Sequence, residues 1–179
     1  MEVVNPIKSM RHIQLMKKEL KKQSSRDFCF FVLGINTGLK INVLLQLNTK
    51  QMVNDNGDIL PFIVIEDQKI YINDKVKAAL NFHLHHENHI QDVYLFQSPK
   101  NAMPVTRQHA YRVIHETARK VGIDYQIGTH TLRKTFGYHA YIKGIAISLI
   151  QERYHHATPS ETLRYIGIDD TIQKIDVNL

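Results

Sequence analysis

Hydrophobic positions recur at helical spacing over the first part of the chain. Over 6–22 an apolar side chain falls every three or four residues while Lys and Arg fill the other face, which predicts an amphipathic helix. Residues 26–37 are strongly apolar, with Ser24 and Ser25 before them as N-cap candidates and Gly38 after them as a C-cap candidate. We therefore predict a largely buried helix over 26–37 at the centre of the core.

The pattern then changes to short apolar runs separated by turn residues. A short apolar helix is predicted just after Gly38. The stretch Asn54-Asp-Asn-Gly-Asp58 is a strong hairpin-turn signal, and Glu66–Gln68 forms a second turn. The two turns separate three predicted strands at 51–53, 59–65 and 69–72.

Helical patterns return over the rest of the chain. The predicted helices are 74–87 after an Asn73 cap, 106–120 after a Thr106 cap, a segment within 128–141 with a Thr129 cap, and one around 145–153. The pattern indicates an α+β, mainly α-helical domain spanning 1–179 with one small antiparallel three-stranded sheet.

Composition is typical of a globular protein, with 179 residues of which 43% are hydrophobic and 22% charged. The sequence contains no apolar run of membrane-spanning length and no signal-peptide pattern, so we expect a cytoplasmic protein without a membrane partner. A net charge of +6 favours polyanionic partners such as nucleic acid. The single Cys29 excludes an internal disulfide.

Two groups of residues suggest specific chemistry. His85 and His89 have metal-ligand spacing, but the sequence offers no convincing further ligands, so we expect no metal. His130 and Arg133 are three residues apart, which places both on one face if the segment is helical. An imidazole beside a guanidinium suits a phosphate group, although this pair alone is a weak signal.

The residues downstream of this pair strengthen the signal. His130 and Arg133 are followed by His156 and Tyr165 in the segment His156-Ala-Thr-Pro-Ser-Glu-Thr-Leu-Arg-Tyr-Ile-Gly-Ile168. Together with Asn36-Thr-Gly-Leu-Lys-Ile41, these segments resemble the catalytic domain of the tyrosine recombinase (phage integrase) family. The resemblance covers nearly the whole chain and implies a tyrosine recombinase catalytic-domain-like fold without the family's N-terminal core-binding domain.

The resemblance implies a role for each of these residues. Tyr165 would be the nucleophile that forms a 3′-phosphotyrosyl bond, and Arg133 would stabilise the charge on the phosphate, assisted by His130 and His156. No cofactor, metal or small-molecule substrate is implied, because the covalent bond conserves the phosphodiester energy for religation. Double-stranded DNA is the implied partner, and a second copy of the chain or a full-length recombinase is a further possible one.

Three positions depart from the family pattern. Lys40 stands where the family's first box has an arginine, and it keeps the charge but loses the planar fork. Val43 stands where the family generally has an acidic residue. The family's catalytic lysine belongs in a hairpin turn, and the nearest candidate, Lys69, comes late, in the second strand.

Three functions therefore stay open on sequence grounds. The first is a DNA breaking and rejoining enzyme of the integrase type, with activity impaired by the three departures. The second is a catalytically defective DNA-binding or regulatory homologue that assists or competes with a full-length recombinase. The third is a type IB topoisomerase-like relaxing activity, which shares the chemistry.

Overall fold

The computed structural model describes residues 4–87 and 94–168. Within these residues the chain forms eight helices and one two-stranded sheet. In chain order they are α1 (Met10–Gln23), α2 (Ser25–Thr37), α3 (Ile41–Leu45), β1 (Phe62–Ile65), β2 (Gln68–Tyr71), α4 (Asp74–Glu87), α5 (Arg107–Lys120), α6 (Thr131–Ile142), α7 (Ile147–Tyr154) and α8 (Pro159–Tyr165). The mainly helical α+β prediction is confirmed.

Helix α2 is the centre of the core, as predicted. Five consecutive residues, from Cys29 to Leu33, are buried, and the helix packs against α1, α4 and α6. Ser24 caps its start by accepting a hydrogen bond from the Asp27 N–H at 3.2 Å. Gly38 ends it with φ of 66°, and a Cβ at this position would overlap the ring of Phe136 on α6. The turn after α2 therefore lies directly against α6.

The first helix begins later than predicted, at Met10 rather than at residue 6. The preceding segment crosses α6 instead, where the N–H of Ile7 donates to Thr135 Oγ1 at 2.9 Å. The carbonyl of Ile7 bonds His139 Nε2, also at 2.9 Å. Ile7 is fully buried by this contact while Met10 is 54% exposed. The apolar periodicity of 6–22 thus combines a helix with a segment buried for another reason.

The prediction of three strands is wrong within the described residues, because only β1 and β2 form a ladder. Val53 and Ile59 meet in a single antiparallel bridge. Residues Thr49–Gln51 form a 3-10 turn capped by Asn48, so their backbone groups are not free to extend a strand. Pro61 lacks an N–H and further limits pairing before β1.

Helix α8 was not predicted from the sequence. Thr158 caps it by accepting from the Glu161 N–H at 3.1 Å, and Pro159 occupies its first position, an arrangement typical of a helix start. Helices α7 and α8 pack on α6 through a second small apolar cluster, of which Tyr154 and Ile166 are buried members. A Cβ at Gly137 of α6 would lie 2.6 Å from Ile166 Cγ2, so only glycine permits this close packing.

None of the helices in the described ranges is long and apolar enough to cross a membrane.

Candidate active site

A cavity of about 270 Å³ collects most of the residues selected from the sequence. Its lining consists of Lys40, Ile41, Asn42, Arg107, Thr129, His130, Arg133, Tyr154, His156 and Tyr165. These residues come from the starts of α3, α5 and α6 and from the α7–α8 region. Side chains separated by more than 100 residues therefore face one small space.

Arg133 is the most firmly held of the predicted residues. It is only 8% exposed, and its Nη1 donates to the carbonyl of Gly38 while Nη2 donates to the carbonyl of Arg153 at 3.4 Å. The guanidinium carbon lies 4.2 Å from the ring centroid of Tyr154. Burial lowers the pKa of Arg133, but arginine remains charged across the biological range. The site therefore has a fixed cation before any substrate binds.

His130 does not lie inside the helix, so the prediction of a Thr129 cap is wrong. His130 itself is the N-cap residue of α6 and makes no side-chain cap hydrogen bond. Thr131 Oγ1 accepts from the Gly128 N–H at 3.0 Å, while Thr129 Oγ1 accepts from Arg107 at 3.3 Å. These contacts use both neighbouring hydroxyls and leave the imidazole directed to the cavity.

The imidazole of His130 meets the phenol of Tyr165. His130 Nδ1 lies 3.4 Å from the Tyr165 hydroxyl oxygen. Burial lowers the pKa of His130, and the charges of Arg107, Lys134 and Arg133 lower it further. A neutral imidazole next to a hydroxyl is a suitable proton acceptor.

Tyr165 occupies the last position of α8, between several ring and charge contacts. Its ring centroid is 5.0 Å from that of His156, and Lys134 Nζ lies 5.0 Å from the Tyr165 ring centroid. Burial raises the pKa of Tyr165, while the charge of Arg133 and a hydrogen bond from it act in the opposite direction. The phenol is thus protonated at neutral pH, with a base and a cation beside it.

His156 is also oriented by its own segment. Its Nδ1 lies 3.0 Å from Thr162 Oγ1, within the first turns of α8. Burial lowers the pKa of His156, and Glu161 raises it. The preceding residue, His155, has φ of 56° and ψ of 38° and ends α7 in the left-handed conformation. This turn directs His156 toward Tyr165.

Lys40 and Lys69 differ in their relation to the cavity. Lys40 lines it as an exposed residue preceding α3, and its side chain makes no hydrogen bond or ion pair with residues 4–87 and 94–168. Lys69 lines a separate groove of about 580 Å³, and its Nζ lies 5.9 Å from the Phe62 ring centroid. The structure therefore brings Lys40 to Tyr165 but not Lys69.

Three further charged residues near the site were missed by the sequence reasoning. Arg107 lines the cavity itself. Arg153 donates to the carbonyls of Thr37 at 2.9 Å and Lys69 at 3.4 Å, which ties the hairpin to the end of α2. Glu66, at the hairpin tip, lines a crevice with Lys40 and Arg133 and lies close enough to raise the pKa of Arg133. The sequence placed Glu66 in a predicted turn and Arg107 beside a helix cap, but it did not indicate that either lies at the site.

One residue of the predicted metal-spaced pair lies in the described part of the chain. His85 lies near the end of α4, but His89 lies outside the described residues. Within 4–87 and 94–168 no group of three or more His, Cys, Asp or Glu side chains is arranged to hold a metal ion.

Comparison with known proteins agrees with this geometry. The sequence model of the phage integrase family matches residues 9–171. A Bacillus subtilis (strain 168) protein described as a probable integrase/recombinase, YoeC, is 37% identical over 171 residues, covering 95% of this chain and 93% of that protein. The chain spans about half the length of several curated tyrosine recombinases that it also matches, 50 to 52% for three of them.

Solved structures share the fold at lower identity. The crystal structure of XerA recombinase matches with a TM-score of 0.76 at 20% identity, covering 94% of this chain and 61% of that one. XerH site-specific recombinase, bound to its palindromic difH substrate after cleavage, matches with a TM-score of 0.73 at 18% identity over 94% of this chain and 50% of that one.

Proposed function

Because the chain belongs to the phage integrase family, we propose that it breaks and rejoins double-stranded DNA through a 3′-phosphotyrosyl intermediate at Tyr165. The single observation that carries the proposal is the convergence on one cavity of Tyr165, His130, Arg133 and His156. The DNA-bound XerH structure, which shares the fold, supports a DNA substrate. A cytoplasmic location belongs to the same proposal.

The geometry suits a transesterification. The Tyr165 oxygen attacks the scissile phosphorus, a P–O bond forms to Tyr165, and the bond to the 5′ oxygen breaks. His130 Nδ1, 3.4 Å from the phenol oxygen, takes the tyrosine proton. Arg133 holds the non-bridging oxygens as their negative charge grows. His156 lies next to Tyr165 and gives a proton to the 5′ oxygen as it leaves.

Rejoining reverses these steps on an incoming 5′ hydroxyl. The hydroxyl attacks the phosphotyrosyl phosphorus, Tyr165 leaves as phenol, and the two histidines exchange their proton-transfer roles. Neither step consumes a nucleotide, because one phosphodiester bond replaces another. The partner in a complete recombination is a second DNA site, held by a second copy of the chain or by a full-length recombinase.

A non-catalytic DNA-binding homologue is the second candidate function. The observation that favours it is the incomplete half of the site, with Lys40 in place of an arginine and Lys69 in a separate groove. Loss of one preorganised donor to a developing oxyanion costs roughly 10²–10³ in rate. The positive charge of the cavity would remain able to bind DNA phosphates.

A covalent-trapping experiment separates the two candidates. The protein is incubated with a pool of nicked duplexes of randomised sequence, from which the short cleaved product diffuses away and prevents rejoining. Denatured complexes are collected, and the DNA that stays attached is sequenced. We expect a defined set of sequences attached to the wild type and none attached to Tyr165→Phe, with the exposed Tyr111→Phe as a control that retains the adduct.

The absence of any adduct from the wild type and from Lys40→Arg would contradict the enzyme proposal. Duplex binding that weakens with salt would then support the binding candidate. Relaxation of supercoiled plasmid without sequence preference would instead indicate topoisomerase-like activity.

A further inference from the structure

Arg107 lies in the cavity with the proposed nucleophile, although no sequence signal selected it. It is the first residue of α5, and its Nη2 donates to Thr129 Oγ1 at 3.3 Å. Thr129 directly precedes His130, so this contact holds the guanidinium beside the imidazole. After burial, the charge of Arg107 is the largest influence that lowers the pKa of His130.

Most hydrogen-bond donors of the Arg107 guanidinium have no acceptor among the described residues. Only one of its five N–H groups has a hydrogen bond with the described residues, and none of the ion pairs among 4–87 and 94–168 includes it. Two half-buried arginines of the fold are occupied by comparison: Arg26 is paired with Asp27 at 2.8 Å, and Arg153 donates to two backbone carbonyls.

The position of Arg107 on its helix is unfavourable without an anion. The N-terminus of a helix carries partial positive charge, so a cation in the first turn is repelled. The first turn of α5 has no acidic residue of its own, and the nearby carboxylate of Asp27 contacts His109, at 3.6 Å, rather than Arg107. A phosphate in the cavity would be attracted both by Arg107 and by the helix end behind it.

We propose that Arg107 is a further catalytic residue, whose guanidinium contacts a non-bridging oxygen of the scissile phosphate. Arg133 supplies one planar guanidinium fork to the cavity, and Arg107 supplies a second. Lys40 also lines this cavity, but it offers only an ammonium. Arg107 transfers no proton; it stabilises the charge that grows on the oxygen while the bond to Tyr165 forms. This inference rests on the proposed function.

Chemical replacement of the oxygen tests the contact directly. Single-turnover cleavage by the wild type and Arg107→Ala is measured on a suicide duplex with an ordinary scissile phosphate and on one with a methylphosphonate there. The methyl group replaces the charged oxygen. We expect Arg107→Ala to lose about 10²-fold on the phosphate and less than about threefold on the methylphosphonate.

Two variants control for structural effects. Arg119→Ala removes an exposed arginine from the last turn of the same helix, about 18 Å from Arg107 at 1.5 Å per residue, and should change neither rate appreciably. Lys40→Arg, added to Arg107→Ala, should recover part of the lost rate because it restores one guanidinium. An equal loss on both substrates would overturn the inference, since it would show that Arg107 acts only through the structure.

Salt dependence keeps the phosphate contact of Arg107 testable if neither the wild type nor Lys40→Arg forms an adduct, a result that would overturn the proposed function but not this contact. Duplex affinity is then measured against salt in a Tyr165→Phe background. Removing one phosphate contact should reduce the slope of log affinity against log salt by about 0.9. An unchanged slope in Arg107→Ala would overturn the inference by itself.

Discussion

The two halves of the candidate site are built differently. On the α6–α8 side, Arg133 is buried and donates to two carbonyls, and His156 bonds Thr162. On the opposite side, Lys40 is exposed and its side chain has no partner among the described residues, while Lys69 faces another groove. The first half is preorganised by the core, and the second depends on what the substrate contributes. Changes on the two sides should therefore have different signatures.

The largest effect is expected on the preorganised side. Arg133→Lys should lower single-turnover cleavage by about 10²–10³-fold, because it removes a planar donor from the phosphate. It should also lower the free energy of unfolding by about 1–3 kcal/mol, because one ammonium replaces the two guanidinium nitrogens that donate to the carbonyls of Gly38 and Arg153. Denaturant unfolding measures the second effect.

Arg112→Lys, an exposed change on α5, is the control for both measurements. If Arg133→Lys changed activity without changing stability, the distinction between a core-built half and an open half would fail.

A smaller effect is expected on the open side. Lys40→Arg should raise the cleavage rate by about tenfold by adding a planar fork to those of Arg133 and Arg107, with little change in stability because the residue is exposed. Lys69→Ala should change the rate by less than about twofold, since its ammonium lies against Phe62. Both changes are checked by single-turnover cleavage rates on the DNA sequences recovered by covalent trapping. A large loss in Lys69→Ala would mean that the hairpin moves into the cavity when DNA binds.

The pH dependence of cleavage should report His130. If its neutral form takes the proton of Tyr165, the rate falls when pH drops through the pKa of His130 and protonates it. Burial and the charges of Arg107, Lys134 and Arg133 lower that pKa, so the fall should begin below about pH 6.5, the ordinary value for histidine.

Lys134→Gln removes one of these charges and should move the fall toward higher pH. Lys143→Gln, an exposed change just beyond α6, should leave the profile unchanged. If the pH dependence of cleavage were unchanged in Lys134→Gln, the loss of rate at low pH would come from a group other than His130.

The smallest effect is expected at His155, which ends α7 just before His156. His155→Gly should raise the free energy of unfolding by about 0.5–1 kcal/mol, because glycine adopts the left-handed φ of 56° without the Cβ penalty. His115→Gly, in the middle of α5, should lower it by about 1 kcal/mol, where φ is helical. Equal signs for the two variants would show that the His155 backbone is not strained.

The sequence predicted most of what depends on neighbours along the chain. The Ser24, Thr106 and Asn73 caps are confirmed, each accepting a hydrogen bond from an N–H in the first turn of its helix. Helix α2 and its Gly38 end are also confirmed, because a glycine after a long apolar run is a local signal. The order of His130, Arg133, His156 and Tyr165 was enough to indicate the family, which the comparisons then showed.

The tertiary structure decided what depends on contacts between distant residues. Only two of the three predicted strands pair in a ladder within the described residues, and the packing of 6–9 on α6 moved the start of α1. The positions of Lys69 and Arg107 were also beyond the sequence, because each depends on a residue from another segment: Arg153 donates to the backbone carbonyl of Lys69, and Arg107 donates to Thr129. Periodicity and caps act over a few residues, whereas a cavity wall is assembled by packing across the whole chain. The sequence by itself therefore determined the helices and the reacting groups, and the fold decided which cations stand beside them.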